Sequence, residues 1–181
     1  MNGFSLREFL AVDRQGALQF FIDGLVDVVE PGTRSDELLY NASILAHHTQ
    51  VSCCHEGEDL PCPKSLTCIF EQNILLKDPK RYKEEVEISP EAVASQILLM
   101  SGFFKGRMRH RHNINWYRHY GARFYMWASE ISAQKKEDSR AEVLRRMALN
   151  FSFWAERQYR LDRSLRDKPY LIELKTNGSV N

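Results

Sequence analysis

Glycine and proline are scarce in this sequence, with 9 and 6 residues respectively among 181. No internal repeat is visible, so the composition excludes collagen-like, mucin-like and disordered classes. No uninterrupted apolar run reaches the roughly 18–20 residues that span a bilayer. With 43% hydrophobic and 27% charged residues, the chain has the composition of a globular domain. A chain of this length can bury a core without disulfides or a structural metal.

Recognisable catalytic motifs are also missing. The sequence contains no glycine-rich phosphate loop, no G-x-S-x-G and no H-E-x-x-H. It also lacks E-x-x-H, the motif with which helical bundles hold a di-iron centre. The sequence therefore favours a non-enzymatic role, and no cofactor is predicted. An enzyme with a buried helical pocket stays open as an alternative.

Acidic residues are absent between Glu91 and Glu130, and the net charge of +1 conceals an uneven distribution. Residues 1–91 hold 8 Lys and Arg against 16 Asp and Glu, whereas residues 92–181 hold 17 against 8. A one-sided charge distribution can steer an anionic partner towards the basic half. It can equally let the two halves attract each other.

The N-terminal residues lack the apolar core and the cleavage site of a secretory signal, and they carry Arg7 and Glu8. We therefore expect a cytoplasmic protein with no membrane partner, of bacterial type. In that compartment cysteines are kept reduced unless they bind a metal.

Helix signals dominate the chain, and alternating strand patterns with hairpin turns are absent. The sequence predicts an all-α fold, a single-domain bundle of five to seven helices over residues 1–174, followed by a flexible C-terminal tail over 175–181. Residues typical of helix ends divide the chain. They are Ser5 with Glu8, Asp13, Pro31-Gly32, Thr33 or Ser35, Ser89-Pro90, Asn113 or Asn115, Asp138 or Ser139, and Pro169.

Apolar residues recur at three- and four-residue spacing and predict the core. The strongest core candidates are Phe20, Leu25, Leu45, Ile97, Phe124 and Phe151. The helix starting at Thr33 or Ser35 has two apolar faces, which predicts a central, buried helix. We expect His47 on one of these faces and His48 at a polar helix end. A single long helix is expected from Asp138 or Ser139 to Pro169.

Four cysteines lie close together in the sequence, at Cys53, Cys54, Cys62 and Cys68. No C-x2-C pair is present, although structural zinc sites use two such tight pairs. We expect buried structural thiols and no metal site. The alternative is a metal- or iron–sulfur-dependent redox or sensor protein, with His48 or His55 as a fourth ligand.

A basic stretch interleaved with aromatic residues is the best functional signal. Its candidate anion- or partner-binding residues are Lys105, Arg107, Arg109, Arg111, His112 and Arg118. Three interpretations stay open. The cations can pair with acidic residues of the N-terminal half. They can bind an anionic ligand or an acidic protein surface through arginine forks. Nucleic acid is the third possibility, because phosphates need cations and bases need flat rings.

The same region carries a resemblance. Ser101–Phe104, the basic run 107–112 and the Tyr117–Tyr125 pattern Y-x2-h-G-x2-h-Y, where h is hydrophobic, resemble an uncharacterised bacterial all-helical protein family. Asp36–Tyr40 and Leu45–His47 are also similar to it. The resemblance covers about a third of the chain and implies a helical fold and a shared role for the basic loop. It implies no activity, and the cysteines lie outside its pattern.

Overall fold

A computed structural model describes residues 14–54, 89–107 and 113–167. Within these ranges the chain forms six α-helices and one 3-10 turn and contains no strand, which confirms the all-α prediction. The helices are α1 (Arg14–Val26), α2 (Ser35–Cys54), α3 (Pro90–Ser101), α4 (Ile114–Gln134), α5 (Asp138–Leu149) and α6 (Phe151–Asp167), and the 3-10 turn is Lys105–Arg107.

Several predicted helix ends are confirmed. Helix α2 begins at Ser35, after a turn in which Gly32 adopts a φ of 93° that favours glycine. Pro90 lies in the first turn of α3, where its missing N–H costs nothing. The Asn113 side chain accepts a hydrogen bond from the backbone N–H of Trp116 and caps α4.

The prediction of one long C-terminal helix is wrong, because the chain divides into α5 and α6 at Asn150. Asn150 has a φ of −100° and a ψ of 17°, outside the helical region. Its side-chain Nδ2 donates to Glu37 Oε2 at 3.0 Å, so a contact with α2 fixes the break. The predicted caps Asp138 and Ser139 are also wrong, since Glu137 precedes the first turn and makes no side-chain cap.

Helices α3 to α6 enclose the larger of two core clusters, and α6 contacts α1, α3, α4 and α5. This cluster contains Ile97, Phe124 and Phe151 of the predicted core. Trp154 and Tyr125 are fully buried in it.

The second cluster joins the α1–α2 pair to α3 and α6 through Leu99 and Leu161. Leu25 and Leu45 lie in it as predicted, but Phe20 is 53% exposed and was wrongly assigned to the core. Phe21, the next residue, is buried instead. Neighbouring positions on a helix diverge by about 100°, so the two rings point in different directions and only Phe21 reaches the core.

Helix α2 is not buried on two apolar faces. Leu39 is 50% exposed and His47 is also exposed, so the predicted inward placement of His47 is wrong. The inward face instead includes Glu37 and Asn41, both almost completely buried. Asn41 donates to the sulfur of Met147 and accepts from Gln158 Nε2. Helix α2 thus turns polar as well as apolar residues towards the other helices.

The Glu37 carboxylate joins α2 to the C-terminal helices. Its Oε2 accepts hydrogen bonds from Trp154 Nε1 at 2.8 Å and from Asn150 Nδ2. Arg146 Nε lies 3.6 Å from the other oxygen, and Arg146 also binds Asp36. A buried carboxylate needs such partners, because an unpaired one is strongly destabilising.

A second polar group lies where α2 meets α3 and α5. The Tyr40 hydroxyl donates to Glu91 Oε1 at 2.8 Å, and Arg140 binds the other oxygen of Glu91 at 2.6 Å. Burial, followed by the neighbouring Tyr125 and Glu91, raises the pKa of Tyr40 above its ordinary value of 10.0. The hydroxyl therefore stays a neutral hydrogen-bond donor.

No helix within the described ranges is long and apolar enough to cross a membrane. The predictions for Ser5, Glu8, Asp13, Pro169 and the tail 175–181 lie outside the described residues.

Candidate anion-binding site

Two of the predicted site residues can be placed fully, Lys105 in the 3-10 turn and Arg118 in the second turn of α4. Arg107 ends the 3-10 turn, and only its backbone is described. Arg109, Arg111 and His112 lie outside the described residues. The geometry of the site is therefore built on Lys105 and Arg118.

A close approach of the backbone places Lys105 beside α6. A methyl group on Gly102 would lie 2.9 Å from the carbonyl oxygen of Ala155, which only glycine tolerates. The chain then turns, and the N–H of Lys105 donates to the carbonyl of Gly102 at 3.0 Å. Gly102 therefore allows the end of α3 to pack closely against α6.

Lys105 and Arg118 share a single carboxylate, Glu156 of α6. Glu156 Oε2 lies 3.4 Å from Lys105 Nζ and 3.6 Å from Arg118 Nη2. Lys105 Nζ also lies 4.4 Å from the centre of the Tyr159 ring, a cation–π contact. Because two cations face one carboxylate, the described residues around Glu156 carry a net positive charge.

A cleft of about 440 Å³ opens beside Arg118, between the first turns of α4 and the junction of α5 with α6. Its polar lining comes from Asn115, Arg118, His119 and Ser152, and its apolar lining from Ala122, Ala148, Leu149 and Phe151. The volume lies within the range of small-molecule sites, about 300–1,000 Å³. The cleft can thus contact the polar group of a ligand on one part of its lining and an apolar group on the other.

The Arg118 guanidinium is held tightly, with its side chain only 16% exposed. Its Nε and Nη2 are buried and have no hydrogen-bond partner within the described part of the chain. These two donors form one edge of a guanidinium, the fork that holds both oxygens of a carboxylate or phosphate. An unmet donor pair of this kind is costly when buried, and Glu156 lies just beyond hydrogen-bond distance of it.

Four members of the site were not predicted from the sequence: Glu156, Asn115, His119 and Ser152. One signal was present, because Asn115, Arg118, His119 and Ala122 have the spacing of a single helix face. Glu156 and Ser152 lie more than 30 residues further along the chain and gave no signal. Lys105 and Arg118 both face this C-terminal carboxylate. Ion pairs with acidic residues of the N-terminal half are formed by other arginines, namely Arg140, Arg146 and Arg157.

The cysteine region remains a prediction. Helix α2 ends with Cys53 and Cys54, whose side chains are outside the described set, and Cys62 and Cys68 lie in an undescribed segment. Among the described residues no group of three or more His, Cys, Asp or Glu could hold a metal ion. His48 is half-buried, and its ring centre lies 5.3 Å from that of Phe104.

Comparison with protein-family models, curated proteins and solved structures gave no match.

Proposed function

We propose that this chain is a cytoplasmic helical binding or regulatory protein that engages an anionic ligand or an acidic partner through its basic 105–123 surface. The observation that supports this most is the shared carboxylate: within the described part of the chain, Glu156 is the one acidic partner of Lys105 and Arg118, beside an open cleft. The unmet donor edge of Arg118 favours an anion with two oxygens. No described feature supports a particular reaction.

Loss of Arg118 is the direct test of this proposal. The Arg118→Gln variant keeps a polar side chain but removes the charge and the fork. We expect it to weaken binding of inorganic phosphate, heparin or an oligonucleotide by about tenfold, the scale of a hydrogen bond to a charged group. Isothermal titration calorimetry of the full chain measures each affinity, and titration at several salt concentrations identifies a polyanion by its steep dependence.

Arg34→Gln provides the matched control, because Arg34 is exposed and lies outside the basic surface. It makes the same change in net charge and should alter each affinity by less than about twofold. The proposal fails if the parent protein binds none of the three probes, or if both variants weaken binding equally.

A further inference from the structure

We infer that the cleft beside Arg118 takes a small amphipathic anion, a carboxylate or phosphate monoester with an apolar body, whose anionic group displaces Glu156 from Arg118. This inference rests on the proposed function and specifies its ligand class. Two features carry it, the position of Glu156 and the division of the cleft lining.

Glu156 is positioned to be displaced. Its oxygen lies 3.6 Å from Arg118 Nη2, near enough for attraction but beyond a good hydrogen bond. Its side chain is 39% exposed, so solvent can receive the carboxylate when it moves. Arg118, by contrast, is held at 16% exposure. An incoming anion that hydrogen-bonds the guanidinium edge would make contacts that Glu156 leaves unmade.

The cleft lining indicates what the rest of the ligand is. Arg118 both lines the cleft and contacts Glu156, and Ser152 of the cleft lining lies one helical turn before Glu156 on α6. Beyond the polar residues, Ala122, Ala148 and Leu149 offer apolar surface. Leu149 is 67% exposed, so its side chain is accessible to a bound molecule. A volume of about 440 Å³ fits a small molecule and is too small for a folded partner.

The first arm of the test varies the competitor. We expect Glu156→Gln to bind inorganic phosphate at least about fivefold more tightly than the parent protein, since it removes a negative charge 3.6 Å from the Arg118 guanidinium. Glu142→Gln is the matched control, because Glu142 is also half-exposed and also contacts two arginines, Arg145 and Arg146. The control should change the affinity by less than about twofold.

The second arm varies the ligand. We expect octyl phosphate, kept below its micelle concentration, to bind the full chain about tenfold or more tightly than inorganic phosphate, because two or three buried methylene groups suffice for that gain. Vesicles containing an anionic phospholipid are titrated separately. Binding to the vesicles without binding of soluble octyl phosphate would assign the site to a lipid surface and overturn the inference.

The outcomes separate the two proposals. If the parent protein binds phosphate, heparin or an oligonucleotide but Glu156→Gln behaves like Glu142→Gln, the inference fails and the proposed function stands. An octyl phosphate affinity equal to that of inorganic phosphate also overturns only the inference. If neither the parent nor Glu156→Gln binds any probe, both are wrong. Thermal melting of each variant verifies that it is folded.

Discussion

At the scale of single residues, the two histidines of α2 show how surroundings decide chemistry. The sequence placed His47 inward and His48 at a polar helix end, where the helix dipole would favour a proton. In the structure His47 is exposed and His48 is half-buried against Phe104. Burial, and then the neighbouring His47, lower the pKa of His48 from its ordinary value of 6.5. This shift opposes the protonation that a helix end would favour.

This lowered pKa gives a pH dependence of stability. The unfolded chain protonates His48 near pH 6.5, whereas the folded protein protonates it only at lower pH. Hence stability is lost as the pH falls below about 6.5 and down to the folded pKa. We expect His48→Gln to lose less stability than the parent protein over this window. Urea unfolding at pH 8 and pH 5 measures the difference, and an identical loss in both proteins would contradict the assignment.

At the scale of secondary structure elements, glycine sets how closely α4 approaches its neighbours. A methyl group on Gly121 would lie 2.9 Å from Ile97 Cγ2 of α3 and closer still to the Phe151 ring of α6. Those side chains are fully or almost fully buried, so they have little room to move. The glycine of the Tyr117–Tyr125 pattern is visible in the sequence, but its role as a spacer depends on two distant helices.

We expect Gly121→Ala to destabilise the protein by about 1–3 kcal/mol through overpacking, despite the better helix propensity of alanine. Gly106→Ala is the control, since the added methyl would meet only Tyr159 at an ordinary 3.9 Å. That variant should stay within about 1 kcal/mol of the parent protein. Chemical denaturation compares the two. Equal stability of both variants would show that the helices can separate at no cost.

At the scale of the whole molecule, the uneven charge distribution is matched by ion pairs between its acidic and basic halves. Arg157 binds Glu30 at 2.5 Å, Arg146 binds Asp36, and Arg140 binds Glu91 at 2.6 Å. The acidic half thus pairs with arginines of α5 and α6. Within the described residues, Lys105 and Arg118 of the basic surface pair with Glu156 instead.

From this division we expect the triple variant of Arg107, Arg109 and Arg111 to alanine to melt within about 2 °C of the parent protein. Arg157→Ala should melt several degrees lower, because each 1 kcal/mol corresponds to about 2–4 °C in a domain of this size. Arg157 has a side chain only 8% exposed, and its loss breaks the contact with Glu30. Scanning calorimetry measures both. A large fall in the melting temperature of the triple variant would mean that the basic run 107–112 forms ion pairs within the protein.

More of the fold than of the candidate site could be predicted from the sequence. The helix signals at Asn113 and Ser89-Pro90 act on backbone groups within one turn, so they could be interpreted without knowing the rest of the chain. Lys105 and Arg118 could be found because basic residues are concentrated there. Their common partner could not, because Glu156 lies 51 residues after Lys105.

The sequence by itself determined that this protein is helical, where α2, α3 and α4 begin, and that Leu25, Leu45 and Ile97 face inward. These properties follow from local propensity and from the helical period, which neighbouring residues define. Only the tertiary structure decided that Phe21 faces inward in place of Phe20, that Glu37 and Asn41 are buried, and that Glu156 lies between two cations. Each of these depends on helices that are distant in the chain, and burial of a polar group is stabilising only where those helices supply its partners.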